Sequence, residues 1–395
     1  MLNLTQTEII MKKLFYRIIL IALVLNLNNC STESDSTENP VNSGNYFIQM
    51  FTGINRIGFE TITDDNSIYI RANSETFLTE FIKIDDSGNT TTTDVTSVFT
   101  NYGISESFIL YDFNNQINLV FIEDVNTAQA NINLVIFDYD GNLISQQVLE
   151  SNTIYSSLRS YENGFLAFDE VFDAQEHTLY YKIFNQSGNS VNNQAVDISN
   201  GNPFIEDVYH ENNNTYIIGL SNFVQGQGYT NQICRVYDNN GQLINNNSFD
   251  LIDNSNDKLR VLNNRIHRSY NSGLGTQMEV YSVDGNLMSS TTLNQILNFD
   301  YNSVGQFMYV GYNNTSNKNL DFKILDSQLQ SEIYSRNFGA ENSTGSTGDA
   351  LVFSIKESDN FYHVFGQTTA PQNGDFDLPE NLGSFDDFLG RFNKN

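Results

Sequence analysis

One short phrase returns along this chain at wide, nearly regular intervals: "DYDGN" at 138–142, "DNNGQ" at 238–242 and "SVDGN" at 282–286. Looser copies stand at "DDSGN" (85–89) and "NQSGN" (185–189). Gly accepts φ > 0 without steric cost, and Asp or Asn before it is the other residue that tight hairpins favour, so each copy reads as a hairpin turn. Between the turns, runs rich in β-formers begin after an Asn or Gln: "NSIYIRA", "QINLVFI", "NGFLAFD", "NTYIIGL", "NRIHRSY", "QFMYVGY" and "NFYHVFG". They start at 66, 116, 163, 214, 264, 306 and 360, a mean spacing of 49 residues. A chain with that period is built from copies of one supersecondary unit.

Each unit holds four strand-like runs, here called a to d. Around Gly164 they are 154–161, 164–171, 178–184 and 189–197, the last pair joined through Ser187-Gly188. Four strands per unit at this period is the pattern of a β-propeller blade. Strands b and c carry near-continuous apolar runs ("LVFI", "LVIF", "YIIGL"), as sheets covered on both faces require. The fold expected is all-β, a propeller of seven blades. The chain stops at "FDDFLGRFNKN" (385–395), which reads as a strand c with no strand d after it, while "NYFIQMF" (45–51) precedes the first unit. The N-terminal run is expected to supply the missing outer strand and close the ring, which leaves no unpaired seam.

The N-terminus predicts an address. From Met11, a better start than Met1, the basic residues Lys12, Lys13 and Arg17 precede an apolar stretch from Ile18 to Leu25 and then Cys30. A basic region followed by a short apolar one reads as an export signal. Eight or so apolar residues are too few for a hydrocarbon core of ~30 Å. The segment resembles a bacterial lipoprotein signal peptide, which implies cleavage after residue 29 and lipid attachment at Cys30. The alternative is an ordinary secretory signal in which Cys30 has no role. Residues 30–45 then form the lipidated cysteine and a polar tether, and 46–395 the propeller. The acidic run after Cys30 is similar to the surface-export signal of some Gram-negative lipoproteins. That implies an outer-membrane lipoprotein at the cell surface, a periplasm-facing one being the alternative, held to the membrane by its lipid alone.

The last unit carries a second resemblance. Residues 349–392 are similar to a repeat of secreted and surface bacterial β-propeller proteins, at Asp349, Gly366, Thr368, Gly374, Asp375, Asp387 and Phe388. The other units keep the strands and the turn but lack the "GD" loop. That repeat implies architecture and no single activity.

Charge narrows the partners. With 47 acidic against 19 basic residues the chain carries −28, which disfavours nucleic acid and anionic lipid. The a–b turns (65–66, 162–163, 213–214, 359–360) and the c–d turns are tight, whereas b–c segments (123–132, 221–231, 368–384) and the d–a segment 91–106 are long. Strand alternation puts the long connections at one end of the ring, where recognition usually sits.

Four chemistries are weighed. Asp375, Asp377, Glu380, Asp386 and Asp387 in the 373–387 loop offer oxygens that suit Ca²⁺, the one cofactor considered, against a merely solvated acidic loop. Arg260, Arg265, His267 and Arg268 form the only basic cluster, either paired with neighbouring carboxylates or a site for an acidic glycan. His177, His210, His267 and His363 lie in four different units with no metal spacing, and His210 near Glu206 and Asp207 is the nearest thing to an acid–base group. Cys234 in "QICRVYD" reads as a small core residue. No catalytic residue is assigned. The reading is a monomeric, surface-anchored binding or scaffold module for a protein or glycan ligand. Its rivals are a glycoside hydrolase or polysaccharide lyase on the same ring, and an accessory subunit of an outer-membrane uptake or attachment complex.

Overall fold

The computed structural model describes residues 41–42, 46–51, 58–63, 66–72, 78–85, 87–99, 107–123, 130–172, 176–201, 203–225, 228–252, 257–272, 275–313, 318–341, 350–369, 375–376 and 386–394. The export segment 1–29, Cys30, Asp377 and Glu380 lie outside them. Nearly every described residue is in a strand or a hairpin turn; one helical turn, Thr96–Phe99, follows the first sheet.

Six sheets are blades of four consecutive antiparallel strands. Blade 1 comprises Gly58–Thr63, Asn66–Ala72, Leu78–Ile84 and Thr90–Asp94. Blade 2 comprises Phe108–Phe113, Gln116–Glu123, Asn131–Phe137 and Leu143–Glu150. Blade 3 is Ser157–Tyr161, Gly164–Phe172, His177–Asn185 and Ser190–Asp197, close to the runs expected there. Blade 4 is Phe204–Glu211, Asn214–Val224, Gly228–Tyr237 and Leu243–Asp250. Blade 5 is Lys258–Leu262, Arg265–Asn271, Thr276–Tyr281 and Leu287–Leu293, and blade 6 is Ile296–Tyr301, Phe307–Tyr312, Lys318–Leu325 and Glu332–Glu341.

Counted as runs of four consecutive strands, the blades therefore number six rather than the expected seven. The remaining sheet is composite. The final stretch supplies only Ala350–Glu357, Phe361–Thr368 and Asp386–Asn393, and its open edge is filled by Tyr46–Phe51, with Val41–Asn42 outside that. Pairing runs from Tyr46 opposite Phe392 to Phe51 opposite Asp387. An edge of unpaired N–H and C=O groups is thereby satisfied by the other end of the chain.

Apolar faces join each sheet to the next. Phe81 and Phe99 pack on Phe121 and Phe137 between blades 1 and 2, and Ile122 and Leu134 meet Phe165 and Phe184 between blades 2 and 3. Leu179 and Tyr181 meet Val208 and Ile217 between blades 3 and 4, and Tyr216 and Cys234 meet Val261 and Ile266 between 4 and 5. Met278 and Val280 meet Phe299 and Phe307, and Phe322 meets Phe392 across the sixth and composite sheets. Ile82 and Ile84 of blade 1 then pack on Phe365 and Leu389 of the composite sheet, which closes the circle. Arg391 reinforces that seam: fully buried, it donates from Nη1 to the Asp85 carbonyl and from Nη2 to the Ile84 carbonyl at 2.5 Å.

Burial follows position in the blade. The b and c strands of blade 2 are buried almost throughout, while its d strand is exposed over most of its length. The recurring turn explains its own spelling. Asp138 Oδ1 accepts from the amides of Asp140 and Asn142, and Gly141 sits at φ 82°. Asn185, Asp238 and Asp326 make the same two bonds in blades 3, 4 and 6. The a–b turns are Asn pairs with both φ positive, at Asn114-Asn115, Asn212-Asn213 and Asn263-Asn264, as a two-residue hairpin requires.

A second glycine has a different cause. In blades 4 and 6 and the composite sheet, strand a bulges outward at Glu206, Leu297 and Phe353. Opposite each bulge strand b carries Gly219, Gly311 or Gly366, where a Cβ would come within 2.4, 2.8 or 2.3 Å of a carbonyl oxygen on the strand-a side. Only a residue with no Cβ admits that approach.

Candidate functional site

The acidic loop does not converge on a cation. Asp375 is buried and accepts from the Gly339 amide through Oδ2 at 3.0 Å, so it ties the loop to blade 6. Asp387 is buried and accepts from Gln367 Nε2 at 2.7 Å. Asp386 begins the last strand. Among the described residues no three His, Cys, Asp or Glu side chains gather where a metal would need them.

The basic cluster is split by strand alternation. Arg260 Nη1 reaches into blade 6, donating to Asn298 Oδ1 at 2.8 Å and the Phe299 carbonyl at 2.6 Å. His267, wholly buried, faces the same neighbour, its Nε2 2.8 Å from the Tyr301 hydroxyl. Arg265 lies beside that hydroxyl as well. Arg268 projects from the other face and bonds the Asp250 carbonyl, with Asp257 at 3.4 Å and Glu279 at 3.6 Å. Sequence adjacency suggests one site. The period-2 geometry of a strand places its members in two separate interblade layers.

The histidines are structural in their surroundings. Burial, and then the Arg260 charge, drive the His267 pKa down to about 3. Burial lowers His210 to about 4, with its Nδ1 3.1 Å from the Thr215 hydroxyl, and Glu206 and Asp207 do not bond it. His363, beside the Ser358 hydroxyl at 3.0 Å, is held well below its ordinary value by burial and then by Arg391 and Lys394. Cys234 is buried, and burial pushes its thiol up to about 12, so it is inert core, as expected.

Functional geometry appears instead where blades 3 and 4 meet. The sequence suggests a long loop over 221–231. In the structure strands b and c of blade 4 continue into it, pairing Phe223 with Tyr229 and Val224 with Gly228. Blade 3 does the same, pairing Phe172 with His177. These two hairpins are longer than that of blade 5, which ends at Asn271 and restarts at Thr276. They carry exposed apolar residues at the long-connection end: Val171 and Phe172 are 41% exposed, Phe223 48% and Val224 42%.

Their faces can be assigned from the core below. Leu179 of blade 3 and Ile217 and Tyr237 of blade 4 pack in the same interblade cluster. By alternation, and across paired positions, Glu170, Phe172 and His177 share the face of Leu179, while Phe223 and Tyr229 share that of Ile217 and Tyr237. The two hairpins thus present aromatic walls to one cleft. The Phe172 ring stacks on the His177 ring with centroids 3.8 Å apart and planes 23° apart. His177 is itself buried, its Nε2 3.2 Å from Glu170 Oε2. Opposite, Phe223 meets Tyr229 edge to face at 5.3 Å, and Phe204 lies 6.2 Å from Tyr229. Burial, with the Glu170 charge added, raises the Tyr229 pKa, which places that carboxylate within electrostatic reach across the cleft. Behind this wall Asn222 donates to Asn231 and Asn231 to Asp250. Sequence reasoning misses Glu170, Phe172, Phe223 and Tyr229. The available signal is a hydrophobic pair at the far end of each b strand, "VF" at 171–172 and "FV" at 223–224.

No family model matches the chain, and no curated protein matches it either. Solved structures of similar architecture include the β-propeller domain of the Trilobed protease from Pyrococcus furiosus, at 8% identity and a TM-score of 0.45 over 89% of this chain and 99% of that one. A prolyl endopeptidase matches at 9% identity and a TM-score of 0.44; the chain covers 55% of its length, with 85% of its own. A protein of unknown function from Dyadobacter fermentans matches at 9% identity and a TM-score of 0.43, over 72% and 93%. The propeller assignment rests on the sheet order and the closed circuit of interblade cores. Among the described residues no helix is long and apolar enough to cross a membrane.

Proposed function

We propose that this protein is an exported binding module: a β-propeller over residues 46–395, tethered through 31–45 to a lipid on Cys30 after removal of 1–29, and displayed on the outer face of an outer membrane. In this reading the composite sheet is a seventh blade, and Tyr46–Phe51 serves both as its outer strand and as the point where the tether enters the ring. Among the described residues, the observation that carries the reading is the cleft between blades 3 and 4, where exposed aromatic rings are held in place by partners rather than left mobile. Rings fixed before a ligand arrives lose little freedom on binding, which is the property of a recognition surface. Its ligand is a protein or a glycan, and the acidic surface disfavours polyanions.

The test is made in the cells that produce the protein. Protease added to intact cells should remove the propeller, and Cys30→Ser should move the protein from the outer-membrane fraction to the medium or periplasm. A Cys30→Ser protein that stays in the membrane fraction, or a wild-type protein untouched by external protease, defeats the anchored-surface reading.

A further inference from the structure

We infer that the cleft between blades 3 and 4 is a binding slot for a sugar ring of an uncharged or amino-sugar glycan, a deepening that rests on the binding-module reading above. The rings supply the first part of the argument. An aromatic face is electron-rich and its edge electron-poor, so it attracts the weakly positive C–H face of a pyranose as well as covering it from water. Phe172 has one face against His177 and is still 41% exposed, which makes it a fixed platform with a face to offer. Phe223 and Tyr229 form a second platform on the facing hairpin.

Polar groups supply the second part. A sugar ring needs hydrogen-bond acceptors and donors at its rim, and the cleft has Glu170 between the two walls and the Tyr229 hydroxyl near it. The buried His177 lies against Glu170 Oε2, which sets where the carboxylate stands. A carboxylate has about four lone-pair sites over its two oxygens, enough to hold His177 and also accept from a sugar hydroxyl. A few placed polar groups among apolar walls is the composition of small-ligand sites in general.

Charge selects the class. From Ser160 to Tyr181, and again from Phe204 to Cys234, the sequence of these hairpins holds no Lys or Arg; the first to follow are Lys182 and Arg235. Lys182 is engaged by Glu150, and Arg235 is buried against the Ile198 and Asn200 carbonyls. Arg159, just before the first stretch, is paired with Asp207. Among the described residues the cleft therefore has an acid and no free base to meet a sulfate or uronate, so it fits neutral sugars and protonated amino sugars. That is the opposite of the acidic glycan which the arginine cluster of blade 5 suggests.

The test uses the full chain and calorimetric titration with cellohexaose, maltohexaose, xylohexaose, chitohexaose and its deacetylated form, with heparin as the polyanion. At least one uncharged or amino-sugar oligomer should bind, and heparin should not. Phe172→Ala and Phe223→Ala should each weaken binding about tenfold or more. Both positions are exposed, so unchanged melting temperatures show that folding is intact. Arg260→Gln serves as a remote control and should leave affinity unaltered. Heparin binding, or sugar binding indifferent to Phe172 and Phe223, overturns the inference. So does a wild-type chain that holds none of the five oligomers at millimolar concentration. If in that last case the aromatic variants lose capture of an outer-membrane protein that wild type retains, the binding-module reading survives and the sugar slot does not. If wild type holds neither class of probe, both fall.

Discussion

The three deeply lowered histidines make acid the most revealing perturbation of this fold. In the folded state His267 is neutral down to about pH 3 and His210 to about pH 4, and His363 is held low in the same way. Released by unfolding, each takes up its proton near 6.5. Between those limits the unfolded chain binds more protons than the folded one, so stability rises with pH and is lost on acidification from about 6.5 downward. For His267 the interval of roughly 3.5 units corresponds to about 4 to 5 kcal/mol at most, from ~1.4 kcal/mol per unit. Near pH 5 each of the three contributes a slope of about 1.4 kcal/mol per pH unit, together roughly 4, which is large beside a total stability of ~5–15 kcal/mol. Glu206 and Glu211, whose carboxyl pKa values are raised by burial, act in the opposite sense over part of that range.

A single substitution isolates one of these protons. His267→Gln cannot titrate, yet its amide can still meet the Tyr301 hydroxyl that His267 holds at 2.8 Å. Urea unfolding of both proteins at several values between about pH 5 and pH 7 gives two stability-against-pH lines. The variant's offset reports packing, but its slope should be shallower by about 1.4 kcal/mol per pH unit near pH 5, and the contributions of the other groups cancel in the difference. Parallel lines would refute the reasoning, because they would mean that His267 exchanges its proton as freely in the ring as in the unfolded chain.

Two further perturbations address the architecture. Gly366→Ala should lower stability by about 1–3 kcal/mol in thermal or urea unfolding, since its Cβ would meet the Leu351 carbonyl at 2.3 Å, whereas Gly228→Ala, with nothing within 4 Å, should suffer only from its positive φ. Arg391→Met should cost about 2–4 kcal/mol, because the Ile84 and Asp85 carbonyls lose their donors at the seam, and hydrogen exchange should show blade 1 and Tyr46–Phe51 opening first; uniform loss of protection around the ring would count against a local seam.

Much of this architecture is legible because its determinants are local. The Asp-x-x-Gly-Asn phrase encodes a turn whose side chain, amides and glycine all lie within five residues, as Asp138 to Asn142 show. The Asn pairs at the a–b turns are equally self-contained, and strands b and c announce their double burial by unbroken apolar runs. Even the closing strand could be anticipated, since a unit lacking its last strand and an orphan strand at the other end are complementary deficits. Gly219 and Gly311 are less legible. They share with Gly366 a need set by a carbonyl in the neighbouring strand, and nothing local marks a bulge.

The site belongs to a different class of information. Glu170, Phe172 and His177 meet Phe204, Phe223 and Tyr229 only because two blades stack with particular faces together, and residues about fifty apart become opposite walls. The same alternation that assembles this cleft takes the blade 5 cluster apart, sending Arg260 and His267 toward blade 6 and Arg268 toward blade 4. In a ring of sheets, proximity along a strand is therefore a poor guide to a shared site, whereas equivalent positions at the ends of neighbouring hairpins are a good one. Read by that rule, "VF" at 171–172 and "FV" at 223–224 are the informative pair: the core beneath them fixes the blade spacing, and the exposed rings inherit it. Recognition on this scaffold is thus a property of the joint between blades, and a ligand held there also bridges two elements whose packing keeps the ring closed.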